Sequence, residues 1–250
     1  MSNYKLPYRT RAYGQALGFL FVGQSNMVGI PSADTDNLTD SRNDAIIPSW
    51  HQAGTDPVAL PDGVETLSTN ASHGCDVAFL RRLHSRGLHR AVGVKYAANG
   101  QGLEDFFKPT KEGYDNIMTA CAQAQRDFAS VGIKWRSLVW VQGQHDSSTE
   151  AESSAYEANL NSLVDQLRID LKTPDLFFCS PLHPPSWSTK DYDAEVRAAV
   201  AAYVASEPLS LSVDAEDTDT RDGGIHYEAE SFEILGNRMA EAYLVERPKG

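Results

Sequence analysis

Residues 17–29 read Leu-Gly-Phe-Leu-Phe-Val-Gly-Gln-Ser-Asn-Met-Val-Gly: an almost unbroken apolar run, Leu17 to Val22, that stops at Gly23 and passes into a polar turn carrying a hydroxyl. An apolar run without alternation has no face to offer solvent, so it predicts a strand buried on both sides, as in a parallel sheet between helical layers. Four similar runs follow, at Ala91 to Ala97, Leu138 to Val141, Leu176 to Cys179 and Leu209 to Val213. Lys95, inside the second, needs a buried partner or a route to water.

Helix-length amphipathic segments lie between these runs. Tyr114, Ile117, Met118, Cys121 and Phe128 recur at helical spacing in residues 113–128, as do Tyr156, Leu160, Leu163, Val164, Leu167 and Leu171 in residues 150–171. Thr149 with Glu152 predicts a capping box at the start of the second. Shorter stripes occur at Val77, Leu80 and Leu83, at Val196, Val200, Tyr203 and Val204, and at Phe232, Leu235 and Met239. The alternation predicts an α/β fold, a three-layer α/β/α sandwich of about five parallel strands with right-handed crossovers. Without repeats or a sharp linker, residues 1–250 read as a single domain. Residues 30–74, rich in Asp, Asn, Ser, Thr, Pro and Gly, show no period. They read as a long loop near the active site, just beyond the first strand.

The formal charge of −12 repels phosphate backbones and anionic lipid surfaces, so neither nucleic acid nor membrane is an expected partner. The three cysteines, Cys75, Cys121 and Cys179, lie far apart in apolar stretches and read as buried thiols rather than a disulfide framework. No signal-peptide pattern precedes Leu17 and no segment is long and apolar enough to span a bilayer, which slightly favours a cytoplasmic location. Oligomeric state is not encoded in any pattern seen here.

Ser25 stands just past a buried strand, flanked by glycines that permit a tight turn and close approach of substrate. After the last strand comes Asp222-Gly223-Gly224-Ile225-His226. Brought to the same sheet edge, Ser25, His226 and Asp222 supply the nucleophile, base and orienting acid of a Ser-His-Asp triad. The middle strand ends in Trp140-Val141-Gln142-Gly143-Gln144-His145-Asp146. The Gln142 amide, the Ser25 N–H and the Asn99-Gly100 turn are candidate oxyanion donors. His145-Asp146 lacks further ligands at metal-site spacing, so no metal and no cofactor are expected. In residues 181–187, His183 is a possible pocket donor and Trp187 a sugar-stacking face, or the segment is a stiff surface loop with Trp187 as packing. Trp50 and His51 are weaker candidates of the same kind.

Gly23-Gln24-Ser25-Asn26-Met27-x-Gly29, Lys95-x-Ala97-x-Asn99-Gly100, Trp140-x-Gln142-Gly143-Gln144-x-Asp146, and Asp222…His226 with Leu235-Gly236-x-Arg238 together resemble the SGNH/GDSL hydrolase superfamily. Within it they resemble the carbohydrate-esterase branch of sialate O-acetylesterases and acetyl xylan esterases. The resemblance implies a flavodoxin-like domain that removes acetyl groups from sugar hydroxyls without metal. Carried over, it makes Ser25 the nucleophile and His226 the base, with Gln142, the Ser25 amide and the Asn99-Gly100 turn at the oxyanion. Gln24, Asn26, Gln144, His183 and Trp187 are then expected to face the substrate.

Three departures stand out. The turn reads Asn99-Gly100-Gln101 where the family has Gly-Gly-Thr or Gly-Gly-Ser, and Gln144 replaces a Glu. The terminal block is Asp-x-x-x-His rather than Asp-x-x-His, so either Gly223-Gly224 absorbs the extra residue or Asp219 or Asp217 takes the acid's place. The expected function is that of a serine esterase acting on an acetylated carbohydrate. Two alternatives stay open: another short-chain acyl esterase or thioesterase, and a carbohydrate-binding protein that has lost turnover.

Overall fold

The computed structural model describes residues 14–31, 48–52, 63–66, 72–184, 190–221 and 223–247. β1 (Ala16–Gly23) is buried along its whole length and lies between β6 (Ala91–Ala97) and β7 (Ile133–Val141), parallel to both. β8 (Phe177–Leu182) and β9 (Ser210–Asp214) continue the parallel array beyond β7. These are the five expected strands. β7 begins earlier than its apolar run because Lys134 and Arg136 leave the burial incomplete over its first half.

Residues 30–74 contribute more regular structure than expected. β2 (Ile30–Pro31) pairs with β5 (Ser72–His73), which brings the two ends of the segment together. β3 (Pro48–Gln52) lies parallel to β6, and β4 (Gly63–Thr66) pairs antiparallel with β3, so the sheet has seven strands in the order β4-β3-β6-β1-β7-β8-β9. Strands of five and four residues carry too few positions to show a period. The remainder of the expected loop lies outside the described residues.

Besides the one-turn helix α1 (Ser25–Val28), five helices cover the sheet: α2 (Cys75–Ser85), α3 (Glu112–Asp127), α4 (Glu150–Asp170), α5 (Asp193–Ser206) and α6 (Ala229–Glu246). Phe79 and Leu83 of α2 and Leu235 and Met239 of α6 share one core with Phe19 and Phe21. Ile117 of α3, Leu163 of α4 and Tyr203 of α5 share the other with Leu20 and Val22. Adjacent residues of β1 thus feed opposite cores, the three-layer arrangement implied by the resemblance to SGNH hydrolases.

At the start of α4 the Thr149 Oγ1 accepts from Glu152 N at 3.3 Å and donates to the Glu152 carboxylate at 2.6 Å, so the cap forms with the two side chains joined to each other. All three cysteines are buried free thiols. Among the described residues, no helix is long and apolar enough to cross a membrane.

Candidate active site

The carboxyl ends of three central strands are tied together where Ser25 emerges. Gln24 N donates to Val141 O, and Ala98 N donates to Gly23 O, each at 3.1 Å. A side chain at Gly23 would put its Cβ 2.0 Å from Val141 O, so only glycine lets β1 finish this close to β7. Ser25 opens α1 and is partly exposed, and the Asn99-Gly100 turn at the end of β6 is exposed beside it.

Asn26, fully buried, reaches the far end of the chain. Its Nδ2 donates to Ile225 O and its Oδ1 accepts from Tyr227 N, both at 3.0 Å. These are the residues on either side of His226, so one amide seats the candidate base beside the candidate nucleophile. His226 lies in a small hairpin, β10 (Thr220–Arg221) with β11 (His226–Tyr227), in which Arg221 pairs with His226. Gly223 and Gly224 take φ of 72° and 97°, left-handed values that favour glycine. Asp222 lies outside the described residues. Asp217, an alternative acid, accepts from both terminal nitrogens of Arg238 at 2.6 Å.

Gln142 was expected as an oxyanion donor, but its amide is engaged elsewhere. Nε2 donates to Gln24 Oε1 at 3.2 Å, to Gln101 O at 3.1 Å and, in a short contact, to the Asp146 carboxylate. Its two protons already face three acceptors, which leaves none for a substrate in this arrangement. Oε1 accepts from the Tyr156 hydroxyl at 2.8 Å. Asp146 also takes the backbone N–H of Leu103 at 2.9 Å and of Glu104 at 3.4 Å. Burial pushes its carboxyl up to about 6, against the lowering effect of these donors.

Gln24 and Asn26, expected to touch substrate, are likewise spent inside the protein. Gln24 is 3% exposed and its Oε1 also faces the N–H groups of Gly143 and His145 at 3.5 and 3.4 Å. Sequence reasoning found these residues through motif membership but assigned them outward. A buried amide is distinguished from a substrate-facing one only by its partners, and these come from distant segments.

Gln144 and His183 sit together. Gln144 Nε2 lies 3.4 Å from His183 Nε2, and His183 Nδ1 lies 2.8 Å from the Tyr227 hydroxyl. Burial pushes the imidazole down to about 4, so it is neutral near pH 7. Among the described residues, Gln144 Oε1 is buried with no hydrogen-bond partner. Both residues line a cavity of about 210 Å³ whose apolar walls include Leu182, Val196 and Val200. Trp187 lies outside the described residues, and of Trp50 and His51 only the strand is described.

Lys95 finds the partner its position demands. Its Nζ donates to Asp76 Oδ1 and to Val28 O, each at 3.0 Å, and both side chains of the ion pair are fully buried. Nothing in the spacing of residues 76 and 95 announces this. Among the described residues, no three His, Cys, Asp or Glu side chains converge as a metal site requires.

The fold is shared with several solved structures. A protein of Arabidopsis thaliana superposes with a TM-score of 0.72 at 18% identity, over 93% of this chain and all of that one. A carbohydrate acetylesterase from Xanthomonas citri gives 0.68 at 13% identity, over 92% of this chain and 56% of that one. NanS gives 0.65 at 15% identity, over 93% and 98% respectively. At these identities the likeness speaks for the fold. No curated protein sequence matches the chain. The profile of a family described as carbohydrate esterase, sialic acid-specific acetylesterase, matches residues 16–245. With nearly its whole length inside that match, this chain belongs to that carbohydrate esterase family and is a carboxylic ester hydrolase.

Proposed function

We propose that the protein is a serine esterase that removes O-acetyl groups from a carbohydrate through an acyl-enzyme. Ser25 Oγ attacks the ester carbonyl while His226 takes its proton. The tetrahedral intermediate collapses, the bond to the sugar oxygen breaks, and that oxygen leaves with the proton from His226. Water then attacks the acetyl-Ser25 ester, gives a proton to His226, and acetate departs as Ser25 regains it. Asp222 is assigned the orienting role by its tether to His226.

The observation that supports this reading most is the double hydrogen bond of Asn26 to the residues flanking His226. It joins the nucleophile segment to the base segment across nearly the whole sequence. For the oxyanion, the Ser25 N–H and the Asn99-Gly100 turn are the donors we favour, with Gln142 organising the strand ends behind them. Gln144 and His183 are assigned to substrate, because Gln144 offers an amide oxygen, unpartnered among the described residues, at the wall of a cavity with apolar sides.

Turnover of an aryl acetate and of acetylated xylooligosaccharides, by the wild type and by Ser25→Ala, tests the proposal. Acetate release from both substrates, abolished in Ser25→Ala, is expected. Binding of the oligosaccharide without acetate release would instead favour the sugar-binding alternative.

A further inference from the structure

We propose that Lys95 is a positioning residue for Ser25: its buried amine donates to the last carbonyl of the one-turn helix that presents the nucleophile, while Asp76 supplies only the counter-charge. The inference rests on the reading of Ser25 as the nucleophile.

A four-residue helix cannot sustain its own geometry, because nucleating a turn costs more than its few hydrogen bonds return. α1 has two such closures, Val28 N to Gln24 O and Gly29 N to Ser25 O, each 2.9 Å. Its terminal carbonyls are left to outside donors. Asn26 anchors the helix through its side chain to the His226 hairpin. Lys95 anchors the other end, since Nζ donates to Val28 O at 3.0 Å and places a cation at the negative end of the turn.

Lys95 leaves β6 opposite Phe21 of β1, and Asp76 lies in the first turn of α2, where the chain returns from residues 30–74. One ammonium therefore ties α1, β6 and α2 together at the base of the site. Stability alone does not explain the arrangement. Both side chains are fully buried and, among the described residues, Asp76 Oδ2 has no hydrogen-bond partner, so the pair bears a desolvation cost that an apolar pair of similar volume would avoid. An apolar pair would, however, leave Val28 O without its donor. Holding that carbonyl needs a buried donor on a stem long enough to reach from β6, which Lys95 supplies.

The experiment compares wild type, Lys95→Met/Asp76→Leu and Asp76→Asn, each well below its own melting temperature. Ser25 phosphonylation rate by an aryl phosphonate is read beside kcat and KM for an aryl acetate. The double variant removes both charges together and is expected to melt within about 5 °C of wild type. Its phosphonylation rate and kcat are expected to fall about tenfold or more with KM little changed, as a displaced nucleophile requires. Asp76→Asn keeps the Lys95 bond to Val28 O, so it is expected to retain labelling within about threefold even where its melting temperature drops. A folded double variant with wild-type labelling and kcat would overturn the proposal. So would a tenfold labelling loss in folded Asp76→Asn, which decides the matter if the double variant fails to fold. Absence of Ser25 labelling in the wild type would count against the nucleophile itself, a separate failure.

Discussion

Two buried polar clusters flank the Ser25 turn, and they are built on opposite principles. On the β7 side one carboxylate, Asp146, is shared among the Gln142 amide and the backbone N–H groups of Leu103 and Glu104, with Gln24 and Tyr156 completing a mostly neutral network. On the β6 side a full ion pair, Lys95 with Asp76, has few partners, and one carboxylate oxygen has none among the described residues. The shared network spreads the loss of any member over several remaining bonds. The ion pair concentrates it, because removing one partner strands a buried charge. The first suits strand ends that must keep register, and the second suits a single point that must not move.

The sharpest break in this comparison is Asp76→Ala. It should lower unfolding free energy by about 3–5 kcal/mol in urea titrations, since Lys95 loses its counter-charge in a fully buried site. A loss under 1 kcal/mol would mean that the ammonium escapes to water. Next comes Gln142→Ala, which unpairs several groups of the shared network. It should destabilise by about 1–3 kcal/mol, with turnover falling in step. A large drop in kcat at unchanged stability would restore Gln142 to the oxyanion.

His183 gives a smaller effect, with a definite sign. Its folded pKa is depressed from 6.5 to about 4, so between these values the unfolded chain binds more protons and stability is lost as pH falls from 6.5 towards 4. His183→Gln should flatten the melting temperature profile in that window, and an unaltered slope would show that the imidazole titrates freely. Asp146 works in the reverse sense: its raised pKa, from 3.8 to about 6, costs stability as pH rises across that range. The smallest effect on rate is expected for Gln144→Glu. A carboxylate there would raise the pKa of His183, visible by NMR, while acetyl ester turnover changes less than about tenfold. Strong activation would instead identify the missing carboxylate as part of the machinery.

Much of the framework was legible in the sequence because burial on two faces leaves continuous apolar runs. β1, β6, β8 and the buried half of β7 were readable for that reason, and the helices were readable from stripes such as Tyr156, Leu160 and Leu163. β3 and β4 were not, since strands of five and four residues are held by their neighbours rather than announced by a pattern of their own. At the site, motif and position pointed to Ser25 and His226. The inward use of Gln24, Asn26 and Gln142 was hidden, because an amide serves substrate and scaffold equally well until its partners are known. Lys95 advertised a missing partner but not which acid would supply it.

The central claim is that Ser25 is the nucleophile, and intact-protein mass spectrometry after exposure to an aryl phosphonate tests it most directly. One covalent adduct on the wild type, located on Ser25 and absent from Ser25→Ala, is the predicted result. An adduct that persists undiminished in Ser25→Ala, or a wild type that hydrolyses acetyl esters without ever being labelled, would contradict it.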